Sequence, residues 1–295
     1  MKLGTTFIAD TFAEAFRMRW SRLVVTAHDE HWRDAAAAEA TGYGSSIISC
    51  DSEAGIERRL TAAETPDGRP GASLLFFGFS ADALGRALSN RTGQCLMTCA
   101  TTAVYDGLPA AETRAPLGKH LRYFGDGFQK SKVIDGRRFW RVPVMDGEFL
   151  VADDVGIEKG IAGGNIILEA STLDTALAAA RRAIDALADR AGVITPFPGG
   201  VVRSGSKVGS RYAALRASTN EAFCPTLRSR VTTELHPGAN VAYEIVINGV
   251  DEASVAAAMA LAMRAAVGDG VVAIAAGNYG GELGKFHFRL REVLA

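Results

Sequence analysis

Val241-Ala-Tyr-Glu-Ile-Val-Ile-Asn248 is an apolar run with one carboxylate, Glu244, near its centre. Its aromatic and β-branched content is that of a β-strand. An alanine-rich helical stretch follows over 252–266, and then a second apolar run, Val271-Val-Ala-Ile-Ala-Ala276. This strand–helix–strand unit is the last of four. The first comprises Arg22-Leu-Val-Val-Thr-Ala27, a helix over 30–40, and Ser45-Ser-Ile-Ile-Ser-Cys50. The second comprises Ala72-Ser-Leu-Leu-Phe-Phe77, a helix over 81–89, and Gln94-Cys-Leu-Met-Thr-Cys99. The third comprises Asn165-Ile-Ile-Leu-Glu-Ala170, a helix over 172–188, and Gly192-Val-Ile-Thr195.

Two consecutive units read β-α-β-β-α-β, the ferredoxin-like arrangement. The expected fold class is therefore α+β, with two ferredoxin-like lobes in tandem, 1–155 and 156–295. A doubly wound nucleotide-binding fold needs a glycine fingerprint after its first strand, and Thr26-Ala-His-Asp29 stands there instead. Between the second and third units, Asp135-Gly136 and Asp146-Gly147 are hairpin signals. They predict an antiparallel β insertion built from 131–134, 137–144 and 148–151. Thr11-Phe-Ala-Glu14 has the spacing of a capping box and predicts a short helix near the N-terminus.

Side chains alternate along a strand. Tyr243, Ile245 and Ile247 would line one face, and Ala242, Glu244, Val246 and Asn248 the other. Spacing alone leaves two readings open. Glu244 either points to water, or is buried for a task that offsets the cost of desolvating a carboxylate.

The chain has 295 residues, 48% apolar, and a net charge of −1. That charge supplies no basic field for nucleic acid or an anionic membrane. No apolar stretch approaches the roughly 18 residues of a membrane span, and Met1-Lys-Leu-Gly-Thr-Thr-Phe-Ile-Ala-Asp10 does not read as a signal peptide. Cys50, Cys95, Cys99 and Cys224 lack a disulfide framework, as expected of a cytoplasmic protein. No metal site is expected, because neither Cys95/Cys99 nor His28/His31 sits in a ligand motif.

Residues 196–238 show little periodicity and include Pro196-Phe-Pro-Gly-Gly200 and Ser204-Gly-Ser-Lys-Val-Gly-Ser210. So long a loop is usually functional or disordered; Phe197, Tyr212, Leu215 and Phe223 favour an ordered binding loop. Gly200-Val-Val-Arg-Ser-Gly-Ser-Lys207 falls short of a phosphate-binding loop, because Ser206 separates the lysine from the second glycine. Lys207 meets either an anionic ligand or only solvent. Further glycine patches, Phe124-Gly-Asp-Gly127, Gly160-Ile-Ala-Gly-Gly-Asn165 and Ala276-Gly-Asn-Tyr-Gly-Gly281, suit close approach of backbone to backbone or to ligand.

Eight stretches together resemble one family. They are Asp10-Thr-Phe-Ala-Glu-Ala-Phe16, Glu39-Ala-Thr-Gly-Tyr-Gly44, Glu64-Thr-Pro-Asp-Gly-Arg-Pro-Gly71, Phe124-Gly-Asp-Gly127, Pro196-Phe-Pro-Gly-Gly200, Ser206-Lys-Val-Gly-Ser210, Tyr243-Glu-Ile-Val-Ile-Asn-Gly249 and Gly277-Asn-Tyr-Gly-Gly281. In this order they resemble formylmethanofuran:tetrahydromethanopterin formyltransferases. The resemblance implies formyl transfer between N5 of tetrahydromethanopterin and the amine of methanofuran, or an analogue. It implies no metal and no bound prosthetic group, both carriers being co-substrates. It also implies two ferredoxin-like lobes and a catalytic role for Glu244. Arginine outnumbers lysine here, a composition similar to that of high-GC bacteria. In methylotrophs of that kind the family resembles the formyltransferase subunit of a formyltransferase/hydrolase complex, working in the oxidation of formaldehyde to formate. The implied assembly is a homotetramer or a heteromeric complex with formyl-hydrolase subunits.

On this reading Glu244 is partly desolvated and shuttles a proton between the two nitrogens. Asn165, Ser206, Lys207 and Asn220 are candidates for holding the carriers, chosen for their chemistry. Two alternatives stand beside the transferase: a low-activity assembly subunit of such a complex, and a ferredoxin-like small-molecule sensor.

Overall fold

Strand formation in this chain is dominated by two long segments, Phe12–Thr26 and Asp154–Ala170. The computed structural model describes all of residues 1–295. It is a mixed α+β protein of two compact units. One, the hairpin unit, comprises Met18–Gly160 and Asp189–Ile194; the other, the Glu244 unit, comprises Met1–Arg17, Ile161–Ala188 and Thr195–Ala295. No helix is long and apolar enough to cross a membrane.

In the hairpin unit, residues 19–26 pair antiparallel with Gly71–Gly78, which pairs with Glu53–Leu60. On their other side lies Ala103–Asp106, again antiparallel. Gly147–Ala152 joins that strand in parallel and continues through Arg137–Val144 to Lys130–Ile134 as an antiparallel meander. The turn at Asp135 and Gly136 has φ of 48° and 76°, the left-handed pair that a two-residue hairpin demands. Helices Glu30–Thr41 and Ala81–Arg91 start on Asp29 and Ser80, whose side chains accept from Trp32 N and Ala83 N. Leu23, Val25, Leu74, Phe76, Leu84, Leu88 and Val104 pack as the core. Each such side chain is worth roughly 1.5–3 kcal/mol on burial.

In the Glu244 unit, residues 161–170 run antiparallel to Val241–Gly249 on one side and to Val271–Ala275 on the other. Thr6–Ile8 adds a parallel strand beyond them, and Phe286–Arg289 pairs with residues 12–15. Helices Leu173–Leu187 and Glu252–Ala266 start on Thr172 and Asp251. They cover the sheet face that carries Ile245 and Ile247. Gly164 on that face lies so close to the second helix that an added Cβ would fall 2.4 Å from Val255. The opposite face is covered by the long segment after Thr195. Phe223, Leu235 and Ala239 from that segment pack on Ile167 and Ala275.

Three sequence expectations are corrected here. Residues 45–50 form turns, with Cys50 N donating to Ser46 O. The strand is instead Glu53–Leu60, whose charges disguise it. Glu57 of that strand is buried against Arg22 and Ser73. Residues 94–99 are not a strand either. They prolong the preceding helix through a wide turn, Thr92–Leu96, and the strand follows at Ala103–Asp106. Finally, residues 11–14 open no helix. Pairing with residues 286–289 makes them strand, and the Glu14 side chain is engaged elsewhere.

Candidate active site

Glu244 lies directly across the sheet from Ile167, and its backbone N–H and C=O bond to Val202 on the other side. Ile167 and Val202 are buried. The carboxyl therefore sits on the loop-covered face and not toward bulk water. It retains some accessible area, yet packing removes enough hydration to push its pKa up to about 7. Desolvation is the cause; no cation or backbone donor offsets it. Near neutrality the group exists in both protonation states.

The loop over 276–284 passes beside it. A Cβ on Gly277 would stand 3.8 Å from Glu244 Oε1 and 3.5 Å from Asn165 Oδ1. Asn165 is buried and treats Gly277 as a strand neighbour. Its Nδ2 donates to Gly277 O at 3.0 Å and to Gly163 O at 3.2 Å, and its Oδ1 accepts from Gly277 N at 2.6 Å. Both polar groups of the Asn165 amide are thereby used in holding the loop.

The other end of the loop is held by Glu14, which is 1% exposed. Its carboxylate accepts from the backbone N–H of Tyr279 at 2.7 Å, Gly281 at 2.9 Å and Leu283 at 2.6 Å, and from that of Gly284. Burial alone would raise this group's pKa; the four amides outweigh that and hold it below the ordinary value. Asn278 adds bonds to Thr11 and Phe12. The loop so fixed presents Tyr279, half-buried, with its ring 6.2 Å from Phe16. The phenol lies near Ser206. Burial pushes its pKa up, and the nearby charges of Glu244 and Glu14 push the same way, against the opposing effect of Ser206.

Of the five residues singled out from sequence, Glu244, Asn165 and Ser206 meet around Gly277 and Tyr279. Lys207 is committed to an ion pair with Glu221. Asn220 packs behind Gly205, where an added Cβ would fall 2.8 Å from the Asn220 Cβ, and its backbone N–H bonds Ser204 O. Both shape the long loop. Glu14 and Tyr279 were not among the residues singled out from sequence. A carboxylate early in the apolar run 12–26, three residues from the Asp10-Thr11 turn, reads as a cap, and only the distant loop reveals its partners.

A cavity of about 710 Å³ lies in the hairpin unit along Ala81–Arg91, lined by Arg86, Asn90, Gln94, His120 and Phe124. It is remote in sequence from every candidate residue, and none of them lines it.

Residues 1–144 match the family model described as formylmethanofuran-tetrahydromethanopterin formyltransferase, and residues 147–293 match the model of its proximal lobe. The chain belongs to this formyltransferase family. A formyltransferase from Methylobacillus flagellatus is 52% identical over 100% of both chains. One from Methanosarcina mazei is 48% identical, covering 99% of this chain and 100% of its own. The solved formyltransferase from Methanosarcina barkeri superposes with a TM-score of 0.95 at 47% identity, over 99% of this chain and 100% of that one. A chain of the formyltransferase/hydrolase complex from Methylorubrum extorquens, solved with methylofuran, gives 0.96 at 44% identity, over 100% of this chain and 99% of that one.

Proposed function

We propose that this formyltransferase moves a formyl group between N5 of tetrahydromethanopterin and the amine of methanofuran or an analogue such as methylofuran. The observation that carries the mechanism is the Glu244 carboxyl, with a pKa of about 7 and no cation beside it. A carboxyl of that kind both gives and takes a proton at working pH. The attacking nitrogen forms a C–N bond to the formyl carbon, and the carbonyl pair moves onto oxygen. As that pair returns, the bond to the leaving nitrogen breaks. Glu244 takes the proton shed by the attacking nitrogen and delivers it to the leaving one. Holding both carriers together supplies further acceleration, up to roughly 7–11 kcal/mol for ideal orientation. Asn165 serves by fixing Gly277. Ser206, Lys207 and Asn220 shape the wall against which the carriers lie, Ser206 through Tyr279 and the other two through the long loop.

The same reading extends to architecture and assembly. Residues 1–155 and 156–295 are two ferredoxin-like lobes, with Met1–Arg17 lending strands to the second. The strand order 53–60, 71–78, 19–26, 103–106 in the hairpin unit supports this, as does the junction of the two family models near residue 145. The protein works in the cytoplasm as a homotetramer or in a complex with formyl-hydrolase subunits, in formaldehyde oxidation. The existence of such a complex for the Methylorubrum extorquens relative supports the second form.

The test is a spectroscopic formyl-exchange assay with both carriers. The parent chain turns over, and Glu244→Gln keeps both carriers bound while kcat falls by about 10²–10⁴. Near-normal turnover of the variant would end the assignment of Glu244.

A further inference from the structure

The phenol of Tyr279 plays no part in the mechanism above, although the loop that carries it runs beside Glu244 and is held by several contacts. Its own backbone N–H is held by Glu14 Oε2 at 2.7 Å. The loop preceding it is clamped at Gly277 by Asn165, where an added Cβ would stand 3.8 Å from Glu244 Oε1. Its phenol lies near Ser206, contributed by a different segment of the chain. A half-buried tyrosine is usually amphipathic packing, with its ring buried and its tip in water. Here two buried side chains, Glu14 with four backbone N–H groups and Asn165 with both polar groups of Gly277, use six hydrogen bonds to backbone to set the loop that carries it. That is far more than packing one aromatic ring requires.

We propose that Tyr279 is a further catalytic residue, its phenol O–H donating a hydrogen bond to the formyl oxygen as negative charge gathers there, with Ser206 fixing the phenol's rotation. The proposal rests on the formyl-transfer reading of the Glu244 site. In the addition step the amine lone pair forms the new C–N bond and the C=O π pair moves onto oxygen, where the phenol meets it. In the collapse step that pair returns, the old C–N bond breaks, and the proton travels through Glu244. The phenol keeps its own proton throughout, so atoms and charges balance without a second acid. The division of labour is sound chemically: one group moves a proton between nitrogens, while another stabilises the oxygen. Burial above all, with the charges of Glu244 and Glu14 adding to it, disfavours phenolate and preserves the phenol as a donor. A preorganised donor of this kind accounts for about 10²–10³ in kcat.

The experiment measures formyl exchange for the full chain, Tyr279→Phe, Ser206→Ala and Glu244→Gln in one assay, with far-UV circular dichroism to verify folding. Tyr279→Phe is expected to lower kcat about 100-fold with both KM values changed by less than about threefold, as removal of a donor used only in the transition state does. Ser206→Ala is expected to lose about 3–10-fold, since the phenol remains. A fluorinated tyrosine at position 279, of the same shape but greater acidity, adds an alkaline limb to the pH–rate profile as the donor ionises. This measurement stands even if Tyr279→Phe misfolds. Full activity of Tyr279→Phe, or an unchanged profile with the fluorinated ring, overturns the proposal while Glu244→Gln still reports on the reading beneath it. No exchange by the parent chain brings down both.

Discussion

Two carboxylates flank the same loop, and their surroundings could hardly differ more. Glu14 receives four backbone N–H groups, whereas Glu244 receives none. Both are removed from bulk water, so burial alone raises both pKa values. Where donors converge, the charge is retained and becomes a structural anchor. Where they are missing, the proton returns and the group becomes available for transfer. Paired acids pushed in opposite directions are a recurring way of dividing labour within one site. Here the division is set by whether a glycine-rich loop folds its amides toward the carboxylate or past it.

The sharpest way to break the comparison is at Glu244 itself. On the proposed mechanism Glu244→Gln removes the transferable proton and is expected to lower kcat by about 10²–10⁴, measured in the exchange assay. The second is at the anchor. Glu14→Ala leaves four amides without their acceptor and is expected to cost about 3–5 kcal/mol, read by urea unfolding at pH 7. Glu14→Asp should recover part of that loss.

Titration sharpens the contrast, because the two groups act on stability with opposite sign. Glu14 has a folded pKa below its ordinary 4.5. Its contribution is present above that value and is lost as pH falls through the folded pKa. Glu244 is the reverse. Between about 4.5 and about 7 the unfolded chain ionises it and the folded chain does not, so this group makes stability fall as pH rises. Glu244→Gln is therefore expected to stabilise the chain at pH 8 relative to pH 5 by on the order of 2–3 kcal/mol. Equal shifts at the two pH values would contradict the desolvated state of Glu244. The smallest effect belongs to Lys207. Its ion pair with Glu221 is partly exposed, so Lys207→Ala should change unfolding free energy by less than about 1 kcal/mol.

Most of the scaffold was legible in the sequence for a physical reason. The four helices after Asp29, Ser80, Thr172 and Asp251 carry side-chain caps and apolar spacing that no tertiary contact overrides. The strands Gly71–Gly78 and Val241–Gly249 are long apolar runs. What escaped was every element whose local signal was countermanded at a distance. Glu53–Leu60 holds two glutamates and two arginines, which interrupt the apolar run that marks the other strands, and its burial depends on Arg22 and Ser73 meeting Glu57. Glu14 read as a helix cap because its true partners lie about 270 positions away. Glu244 was identifiable as an oddity, but its strand alternation left the facing direction open. The side it faces is closed by Phe223, Leu235 and Ala239, whose place over the sheet no periodicity announces.

The Asn165 amide pairs with Gly277 as a backbone peptide would, and Glu14 gathers the amides that follow. The loop's conformation is thus dictated by two side chains that lie outside it. A transplant of residues 276–284 into another scaffold would carry the letters without the mould. Conversely, a loop side chain that makes no anchoring bond, unlike Asn278 with its bonds to Thr11 and Phe12, can change while the mould keeps the backbone in place.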